Sequence, residues 1–433
     1  MNSREIILDI LLEISGQNEY SNILITAVLN KYDYLEPREK AFIKHVAEGT
    51  LERRIQIDYV LDRYSKVPVR KMKPLIRELL RMSVYQILFM ENVPDAAVCN
   101  EAVKLAKKRR FQTLQGYVNG VLRTIVREKD KIPYPERDKD IVRYFSIYYS
   151  MPEWLVRHFQ KAYGDEKTEK ILQGFLERQP VCVRIDENLE EETRKEILDA
   201  WKRDGVKVKS HPALSYAFLL EGTEGISRLY GYQEGYFTVQ DVSSMMVVEK
   251  AGIQTGNVVL DVCAAPGGKT MHAACKLHGS GRVIACDVTE YKTQKIEENC
   301  ERLGYENVTV RVQDARVFDE TLEEKADIVI ADVPCSGLGV IGKKQDIKYR
   351  VTEESLQQIT ELQREIIRNV VRYVKPGGTL MYSTCTINSG ENEKMVEWIC
   401  EQFGFEKNRM VQLLPGIDET DGFFYARLRR NSE

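Results

Sequence analysis

Two cysteines and one aspartate carry the most specific chemical signal in this sequence. Cys335 lies in the segment Asp-Val-Pro-Cys-Ser-Gly, which begins at Asp332, and Cys385 lies in the segment Ser-Thr-Cys-Thr. Each segment directly follows a short apolar run that is typical of a buried parallel strand. A single cysteine is usually a small buried hydrophobe. Two cysteines at such strand ends, with a carboxyl group beside one of them, indicate nucleophilic and acid–base chemistry.

A glycine-containing loop that precedes these cysteines indicates a cofactor site. The segment CAAPGGKT (263–270) lies between an apolar strand and a helical stretch. It matches neither the G-x-G-x-x-G dinucleotide pattern nor the G-x-x-x-x-G-K-[ST] phosphate loop, so the cofactor need not carry a phosphate. Gly267 and Gly268 allow the backbone to approach a ligand closely.

Acidic residues end three successive predicted strands around this loop. They are Asp261, Asp287 and Asp314. Asp287 follows Gly267 by about twenty residues, the spacing at which an acid accepts hydrogen bonds from the ribose of a nucleoside cofactor, and Asp314 is placed to meet the adenine edge. One such acid alone is more often a helix cap or a turn residue. Three of them around a Gly-Gly loop predict S-adenosylmethionine as the cofactor.

Two thiols and a carboxyl group suit methyl transfer to the C5 atom of a cytosine. C5 is a poor nucleophile until a thiolate adds to C6 and converts the ring into an enamine. An acid must hold N3 as the adduct forms, and a base must then remove the C5 proton so that the thiolate can leave. A thiol with a pKa of about 8.5 is mostly protonated at neutral pH, so the site must favour its thiolate. The spacing alone does not decide which cysteine is the nucleophile.

The elements that position these residues form an alternating pattern of strands and helices. Helical stretches at about 289–303 and 352–374 separate the apolar strands, and this alternation predicts a doubly wound, Rossmann-like α/β domain with a parallel sheet. The predicted strands are 258–262, 282–287, 308–312, 327–332 and 379–383, with a last strand at 422–428.

The N-terminal part has a different organisation. Residues 1–130 show helical periodicity throughout, which predicts an all-α bundle of five to seven helices. A segment with two prolines and many charges, 132–140, is a linker candidate. Beyond it, a small α+β module is predicted, with helices at 151–163 and 190–203 and strands at 180–185 and 216–220. We therefore divide the chain into a helical domain (1–131), an α+β connecting module (141–235) and a catalytic domain (236–433); RNA binding by the helical domain, with the module as a further RNA-binding candidate, is what the family resemblance given below implies.

Composition limits the classes of partner. The 433 residues carry a net charge of −3, which excludes a uniformly basic nucleic-acid coat. Residues 1–150 nevertheless hold 26 Lys and Arg against 20 Asp and Glu, and the excess is concentrated at 69–73 and 104–110. A single basic run is usually a solvated helix face, whereas two in one region make docking of a polyanion plausible.

Cysteine usage and hydropathy indicate the compartment. The nine cysteines are dispersed without a C-x-x-C pair, so we expect no disulfide framework and no metal site. Free thiols suit a reducing cytoplasm. No apolar run approaches the ~20 residues of a membrane span, and the first residues do not read as a signal peptide.

The motifs resemble those of the RNA cytosine-C5 methyltransferases. The signature segments are CAAPGGKT (263–270), DVPCSGLG (332–339) and STCTINSGENE (383–393), and further matches are VQDVSS (239–244), QDIKY (345–349) and DGFFYARL (421–428). The N-terminal helices resemble the NusB antitermination-factor fold. This combination is similar to the Fmu or Sun type of the family, and it implies S-adenosylmethionine as cofactor. The implied substrate is 16S ribosomal RNA, naked or in early assembly, and the implied oligomeric state is a monomer.

The resemblance also implies a role for each motif residue. Cys385 is implied to be the nucleophile, Cys335 to assist release of the methylated product, and Asp332 to contact the cytosine ring. Family members often have Gly-Asp-Gly-Arg at 313–316, where this chain keeps only the acid and the arginine, and Arg-Arg-His-Pro-Asp where it has Lys-Lys-Gln-Asp at 343–346, a loop expected still to offer positive charge to RNA. The implied cofactor contacts are Cys263, Ala264, Ala265, Pro266, Gly267, Gly268, Lys269, Asp287, Asp314 and Asp332.

Three alternative functions remain open at this point. An amino-group methyltransferase of the same fold would carry Pro-Pro-aromatic where this chain has Pro334-Cys335, and it has no use for two thiols. A transfer-RNA cytosine-C5 methyltransferase would use the same chemistry, and only the helical N-terminal domain argues for ribosomal RNA. A NusB-like RNA-binding factor with an inert methyltransferase domain is disfavoured by the intact cysteines and Asp332.

Overall fold

A computed structural model describes residues 2–16, 21–32, 34–223 and 225–432. The chain forms two compact units, Met1–Glu177 with Ile341–Arg350, and Arg178–Val340 with Val351–Glu433. The sequence-based division into three domains stays a prediction. In the described residues, no helix is long and apolar enough to cross a membrane.

The first unit is helical, as predicted. Its central helix begins at Pro74, whose missing N–H is tolerated at a helix start, and it packs against five neighbouring helices of the bundle. The core is built from aliphatic side chains such as Ile7, Leu79 and Leu122. The helices are α1 (Ser3–Gly16), α2 (Ser21–Lys31), α3 (Pro37–Glu52), α4 (Arg54–Tyr64), α5 (Pro74–Phe89), α6 (Asp95–Lys108), α7 (Gln115–Glu128), α8 (Ile141–Tyr148) and α9 (Glu153–Gly174).

The ninth helix is longer than the sequence pattern predicts. We expected it to end at Tyr163, and there the backbone does leave the helical conformation, because Gly164 has φ +73°. Helical structure resumes after this kink and continues to Gly174. Glycine tolerates this backbone region without a steric penalty, so one residue interrupts the helix without ending it.

A later segment of the chain belongs to the same unit. Ile341–Arg350 ends in the short helix α14 (Ile347–Arg350). Asp346 accepts hydrogen bonds from the backbone N and Oγ of Ser21, at 3.0 and 2.9 Å, and Lys348 Nζ donates to the carbonyl oxygen of Glu52 at 2.7 Å. Residues 345–348 are therefore buried, and only the lysines at 343 and 344 remain exposed to offer the positive charge that we expected from this loop.

The second unit begins with a four-stranded antiparallel sheet in the order β2-β3-β1-β4. Helix α10 (Glu191–Arg203) covers it and contributes Trp201 to the core. The strands are β1 (Val181–Ile185), β2 (Lys207–His211), β3 (Leu214–Glu221) and β4 (Phe237–Val239). The sequence indicated α10, β1 and β3. It missed β2, which is largely polar, and β4, which has three residues.

The remainder of this unit is a seven-stranded sheet with helices between its strands, which confirms the predicted Rossmann-like α/β architecture. The strand order is β10-β11-β9-β8-β5-β6-β7, in which β5 to β9 are parallel and β11 pairs antiparallel with both of its neighbours, β9 and β10. The strands are β5 (Val258–Asp261), β6 (Arg282–Asp287), β7 (Val308–Val312), β8 (Ala326–Asp332), β9 (Val374–Thr384), β10 (Phe405–Leu413) and β11 (Phe423–Arg430). The helices are α11 (Val242–Ala251), α12 (Gly268–Lys276), α13 (Glu290–Leu303), α15 (Glu353–Tyr373) and α16 (Glu393–Phe403).

The strand order determines where the candidate residues meet. β5 pairs with β6 on one side and β8 on the other, so the chain reverses its winding direction at this strand. Ligands of open parallel sheets bind beyond the carboxyl ends of the strands at such a switch point. β8 and β9 are adjacent, and Asp332 is paired in register with Ser383. The loops that follow these two strands therefore leave the sheet side by side.

Candidate active site

The two cysteines that the sequence indicated lie next to each other. The Sγ atoms of Cys335 and Cys385 are 3.2 Å apart, and both side chains are half-buried. The adjacent thiol of Cys385 and burial together raise the pKa of Cys335 well above its ordinary value, and the carboxylate of Glu391 acts in the same direction. Cys335 is therefore held as a thiol that can exchange a proton with its neighbour.

The loop after β8 is packed against the loop after β9 by backbone contacts. The backbone N–H of Gly339 donates to the carbonyl oxygen of Cys385 at 3.1 Å, and Gly422 donates to the carbonyl oxygen of Gly339 at 2.9 Å. A Cβ atom at residue 339 would overlap Gly422 and would lie 2.9 Å from the Cys385 oxygen. A glycine is therefore required for the close approach of these loops.

Asp332 links the cysteine site to the cofactor loop. Its Oδ2 accepts a hydrogen bond from Lys269 Nζ at 2.6 Å, and its Oδ1 accepts one from Ser383 Oγ at 2.8 Å. Although burial acts to lower it, the negative charge of Asp332 raises the pKa of Lys269 above its ordinary value, with a smaller contribution from Cys385. A permanent cation is thus positioned beside the carboxylate and near the Cys385 sulfur.

Asp287 supports the cofactor loop directly. Its carboxylate is buried, accepts a hydrogen bond from the backbone N–H of Ala265 at 3.0 Å, and is 3.0 Å from Lys292 Nζ. Gly267 has φ +106° and caps the N-terminus of α12, where a residue with a side chain would be strained. The loop therefore depends on an acid from β6 and on a glycine at the start of the helix.

The other two strand-end acids are held differently. Asp261 is fully buried, accepts from Thr270 Oγ1 at 2.7 Å, and has its pKa raised to about 7 by burial. Asp314 is partly exposed and forms a two-point ion pair with Arg316, whose hydrogen bonds lower the pKa of Asp314. Asp261 is thus tied to α12, whereas Asp314 presents a charged group at the surface of the cleft.

Two adjacent clefts contain most of the predicted site residues. The larger one, of about 410 Å³, is lined by both cysteines, Asp287, Asp314 and Asp332. The smaller one, of about 210 Å³, is lined by Ala264, Pro266, Gly268, Lys269 and Asp261. Cys263, Ala265 and Asp332 line both clefts. Gly267 lines neither, because its role is to turn the backbone into α12.

Several residues at the site were not predicted from the sequence. Lys292 and Gln313 line the larger cleft, and Gln240 lines the smaller one. Glu391 is buried behind both cysteines. Gln240 and Glu391 fall within the motifs VQDVSS and STCTINSGENE, so the resemblance contained a signal for both. Lys292 lies on α13 outside the quoted motifs, and only the folded structure shows that it pairs with Asp287.

A separate cluster in the second unit brings two carboxylates and a histidine close together. Ligand atoms of Glu187, Glu249 and His272 lie within 4.8 Å of one another. The ammonium group of Lys276 forms ion pairs with both carboxylates. Burial lowers the pKa of His272 to about 4, so its ring is neutral. The group accordingly forms a partly buried ion-pair network in which a lysine supplies the cation.

Comparisons with known proteins place these features in a family. The family described as 16S rRNA methyltransferase RsmB/F matches residues 251–429, the NusB family matches 1–127, and a RsmF/B-like ferredoxin-like domain matches 151–227. The probable ribosomal RNA small subunit methyltransferase B of Bacillus subtilis is 36% identical, over 99% of this chain and 98% of that protein. The chain belongs to the RsmB/F family of 16S ribosomal RNA methyltransferases. The small subunit methyltransferase B of Cronobacter sakazakii is 31% identical over 90% of each chain.

Solved structures agree with this membership. The crystal structure of the protein PH0851 has a TM-score of 0.82 at 25% identity and covers 99% of both chains. A methyltransferase homolog from Pyrococcus horikoshii covers 66% of this chain and 97% of its own, with a TM-score of 0.59 at 25% identity. The protein is therefore an S-adenosylmethionine-dependent ribosomal RNA methyltransferase with a helical NusB domain, which confirms the predicted cofactor and fold class.

Proposed function

We propose that this enzyme methylates C5 of a cytosine in 16S ribosomal RNA through a covalent adduct between Cys385 and C6. The observation that carries the proposal is the 3.2 Å separation of the Cys335 and Cys385 sulfurs at the edge of the cofactor cleft, beside the Asp332–Lys269 pair. Direct methylation of an exocyclic amine has no use for such a pair of thiols.

The residues of the cleft suit S-adenosylmethionine. A cavity of about 410 Å³ is within the usual range for a cofactor site. Three carboxylates line it and can accept hydrogen bonds from the polar groups of a nucleoside cofactor. Asp287 would accept hydrogen bonds from the ribose, Asp314 would meet the adenine edge, and Leu362 and Ile366 provide apolar walls. When bound, S-adenosylmethionine supplies the methyl group.

The reaction starts with addition of the Cys385 thiolate to C6. The new S–C6 bond uses the π electrons of C5=C6, and the ring becomes an enamine with electron density at C5. Negative charge that spreads toward N3 is stabilised by the ammonium group of Lys269, whose Nζ lies 2.6 Å from Oδ2 of Asp332. The ammonium of Lys269 is also attracted electrostatically to a negative charge on the Cys385 sulfur.

The reaction ends with release of the methylated base. After C5 has accepted the methyl group, a base removes the C5 proton, the C5=C6 bond forms again, and the S–C6 bond breaks. Cys335 is the group that we assign to this stage, because its sulfur touches the sulfur that must leave. Its high pKa makes it a proton carrier rather than a competing nucleophile.

Recognition of the RNA is assigned to the helical domain. Arg70, Lys71 and Lys73 are exposed, and Lys73 Nζ lies 5.5 Å from the ring of Phe111, directly after the second basic run. The two runs are thus neighbours within the first unit. Several lysines and arginines of the second run form ion pairs with Glu5, Asp9 and Glu101, so the first run offers more charge to phosphates.

The target base must leave any stack to reach Cys385, so unpaired RNA is preferred. We retain the expectations of a monomer and of naked or early-assembly RNA as part of this proposal.

Nucleoside mass spectrometry tests the proposed reaction. The protein is incubated with methyl-labelled S-adenosylmethionine and with a 16S ribosomal RNA transcript or a transfer-RNA pool. We expect label in 5-methylcytidine from the ribosomal transcript alone. Label in 4-methylcytidine contradicts C5 chemistry, label in transfer RNA contradicts the substrate, and no label with either RNA supports an inert methyltransferase domain.

A further inference from the structure

A buried carboxylate lies behind the two cysteines. Glu391 is in the segment between β9 and α16 and is fully shielded from solvent. All the hydrogen bonds that its side chain accepts come from groups on three neighbouring segments. They come from Ser336 N (2.8 Å), Ser336 Oγ (2.5 Å), Gln363 Nε2 (3.1 Å), Asn388 Nδ2 (3.0 Å) and Thr386 Oγ1 (3.5 Å).

These contacts connect the loops that carry the thiols. Ser336 directly follows Cys335, and Asn388 lies three residues after Cys385. One carboxylate therefore fastens the loop after β8 to the loop after β9, and the Oγ atoms of Ser336 and Thr386 add a direct bond of 2.8 Å. Gln363 also donates to the carbonyl oxygen of Pro334 at 2.9 Å, which brings α15 into the same network.

The network requires a group that only accepts. The backbone N–H of Ser336 and the side-chain amides of Gln363 and Asn388 can only donate at these positions. An ionised carboxylate satisfies all of them, whereas an amide would direct an NH₂ group at another donor. Burying a charge costs free energy unless the charge is fully hydrogen-bonded. The hydrogen bonds from these donors offset that cost for the ionised carboxylate of Glu391.

We propose that Glu391 is a positioning residue that holds the Cys335 thiol beside the Cys385 thiol. The inference rests on the proposed function for its use of two cooperating cysteines. Glu391 does not touch the reacting base, and it acts by fixing the loops from which both sulfurs project.

The charge of Glu391 also distinguishes the two thiols. Among the described residues, Lys269, Tyr382 and Glu391 interact electrostatically with one or other thiol. The cleft that both thiols line also carries the charged residues Asp287, Lys292, Asp314, Arg316 and Asp332. The Glu391 carboxylate acts against ionisation of Cys335, whereas the cation of Lys269 is on the Cys385 side. Replacement of Glu391 by an uncharged residue should therefore make Cys335 easier to ionise in place of Cys385. The pH at which the methyl-transfer rate begins to rise should change accordingly.

Disulfide trapping tests the positioning role without RNA or cofactor. Diamide, a diazene oxidant, takes two electrons and two protons from the two thiols and is reduced to the hydrazine, while Cys335 and Cys385 become a disulfide. Because the sulfurs are 3.2 Å apart, the wild-type protein should form this disulfide readily, as measured by peptide mass spectrometry. In Glu391→Gln the rate should fall by about tenfold or more, and methyl transfer by about 100-fold with KM for S-adenosylmethionine unchanged.

Two further variants keep the test decisive. Glu78→Gln removes a buried carboxylate from the helical unit, so it matches the loss of buried hydrogen bonds and should keep the wild-type oxidation rate. Ser336→Ala loses the 2.5 Å bond but keeps the backbone donor, and it should oxidise at an intermediate rate even if Glu391→Gln does not fold. A folded Glu391→Gln protein that oxidises and transfers methyl groups as fast as the wild type overturns the proposal. Slowed oxidation in an enzyme that makes no 5-methylcytidine would uphold the positioning role and refute the proposed reaction instead.

Discussion

The substitution Asp287→Ala tests one proposed contact of the cofactor site, the hydrogen bond between the Asp287 carboxylate and the ribose. Asp287 is buried at the end of β6 and accepts a hydrogen bond from Ala265 in the cofactor loop. In the proposed complex it also accepts from the ribose, and a hydrogen bond to a charged group contributes about 1.5–3 kcal/mol. Since about 1.36 kcal/mol corresponds to a factor of ten, the dissociation constant should rise by about 10- to 150-fold.

The chain offers a closely matched control at the opposite end of the sheet. Asp327 accepts a hydrogen bond from the backbone N–H of Val258 at 2.7 Å and pairs with Lys375 at 2.6 Å. Asp327→Ala therefore loses the same kinds of structural contact as Asp287→Ala, away from the clefts described above. It should bind the cofactor as tightly as the wild type.

Isothermal titration calorimetry measures both variants. S-adenosylhomocysteine is used beside S-adenosylmethionine, because it keeps the ribose and lacks the sulfonium charge. Asp287→Ala should weaken both ligands by a similar factor if the lost interaction is with the ribose. Affinity within twofold of the wild type for both ligands, or an equal loss in Asp327→Ala, would refute the assignment of Asp287.

Three other predictions follow from the structure. Replacement of Arg70, Lys71 and Lys73 by glutamine should reduce the slope of log affinity for RNA against log salt by about 2–3 in filter binding, and an unchanged slope contradicts the docking role. Gly339→Ala should separate the cysteine loops, lower stability by about 1–3 kcal/mol and abolish methyl transfer, whereas normal activity would show that the loops can move apart. The folded state keeps a proton on Asp261 that the unfolded chain releases near pH 4, so the contribution of Asp261 to stability should fall as pH rises from about 4 to about 7, and the Tm of Asp261→Asn relative to the wild type should rise over the same range. A pH-independent difference in Tm contradicts that account.

The positions at the ends of strands were predictable from sequence. Asp287, Asp332 and the two cysteines each follow an apolar run, and parallel strands end at the same edge of a sheet, so these residues were expected at that edge. Because β8 and β9 are adjacent in the sheet, Cys335 and Cys385 then lie side by side. The two strands that form antiparallel pairs, β10 and β11, were harder to predict from the sequence. β11 is apolar and was predicted, whereas β10 is half polar and its direction depends on pairing with β11.

The supporting residues could not be predicted in the same way. Lys292 and Glu391 act through contacts with other segments of the chain; Glu391 lies in a signature motif, but neither that motif nor the residues around Lys292 indicate which groups these side chains contact. The buried Asp346 illustrates the same limit, because its partner Ser21 is more than 300 residues away. Periodicity reports on local structure and burial, but it contains no information on which distant polar groups will satisfy one another.

Trapping of a protein–RNA conjugate tests the central claim, covalent catalysis by Cys385, most directly. The variants Cys335→Ala and Cys385→Ala are incubated with 16S ribosomal RNA transcript and S-adenosylmethionine and are separated by denaturing electrophoresis. Cys335→Ala should accumulate a conjugate that requires S-adenosylmethionine, because the base is attached and methylated but not released, and Cys385→Ala should form none. A conjugate with Cys385→Ala and none with Cys335→Ala would reverse the two roles, and turnover by both variants without any conjugate would contradict a covalent mechanism.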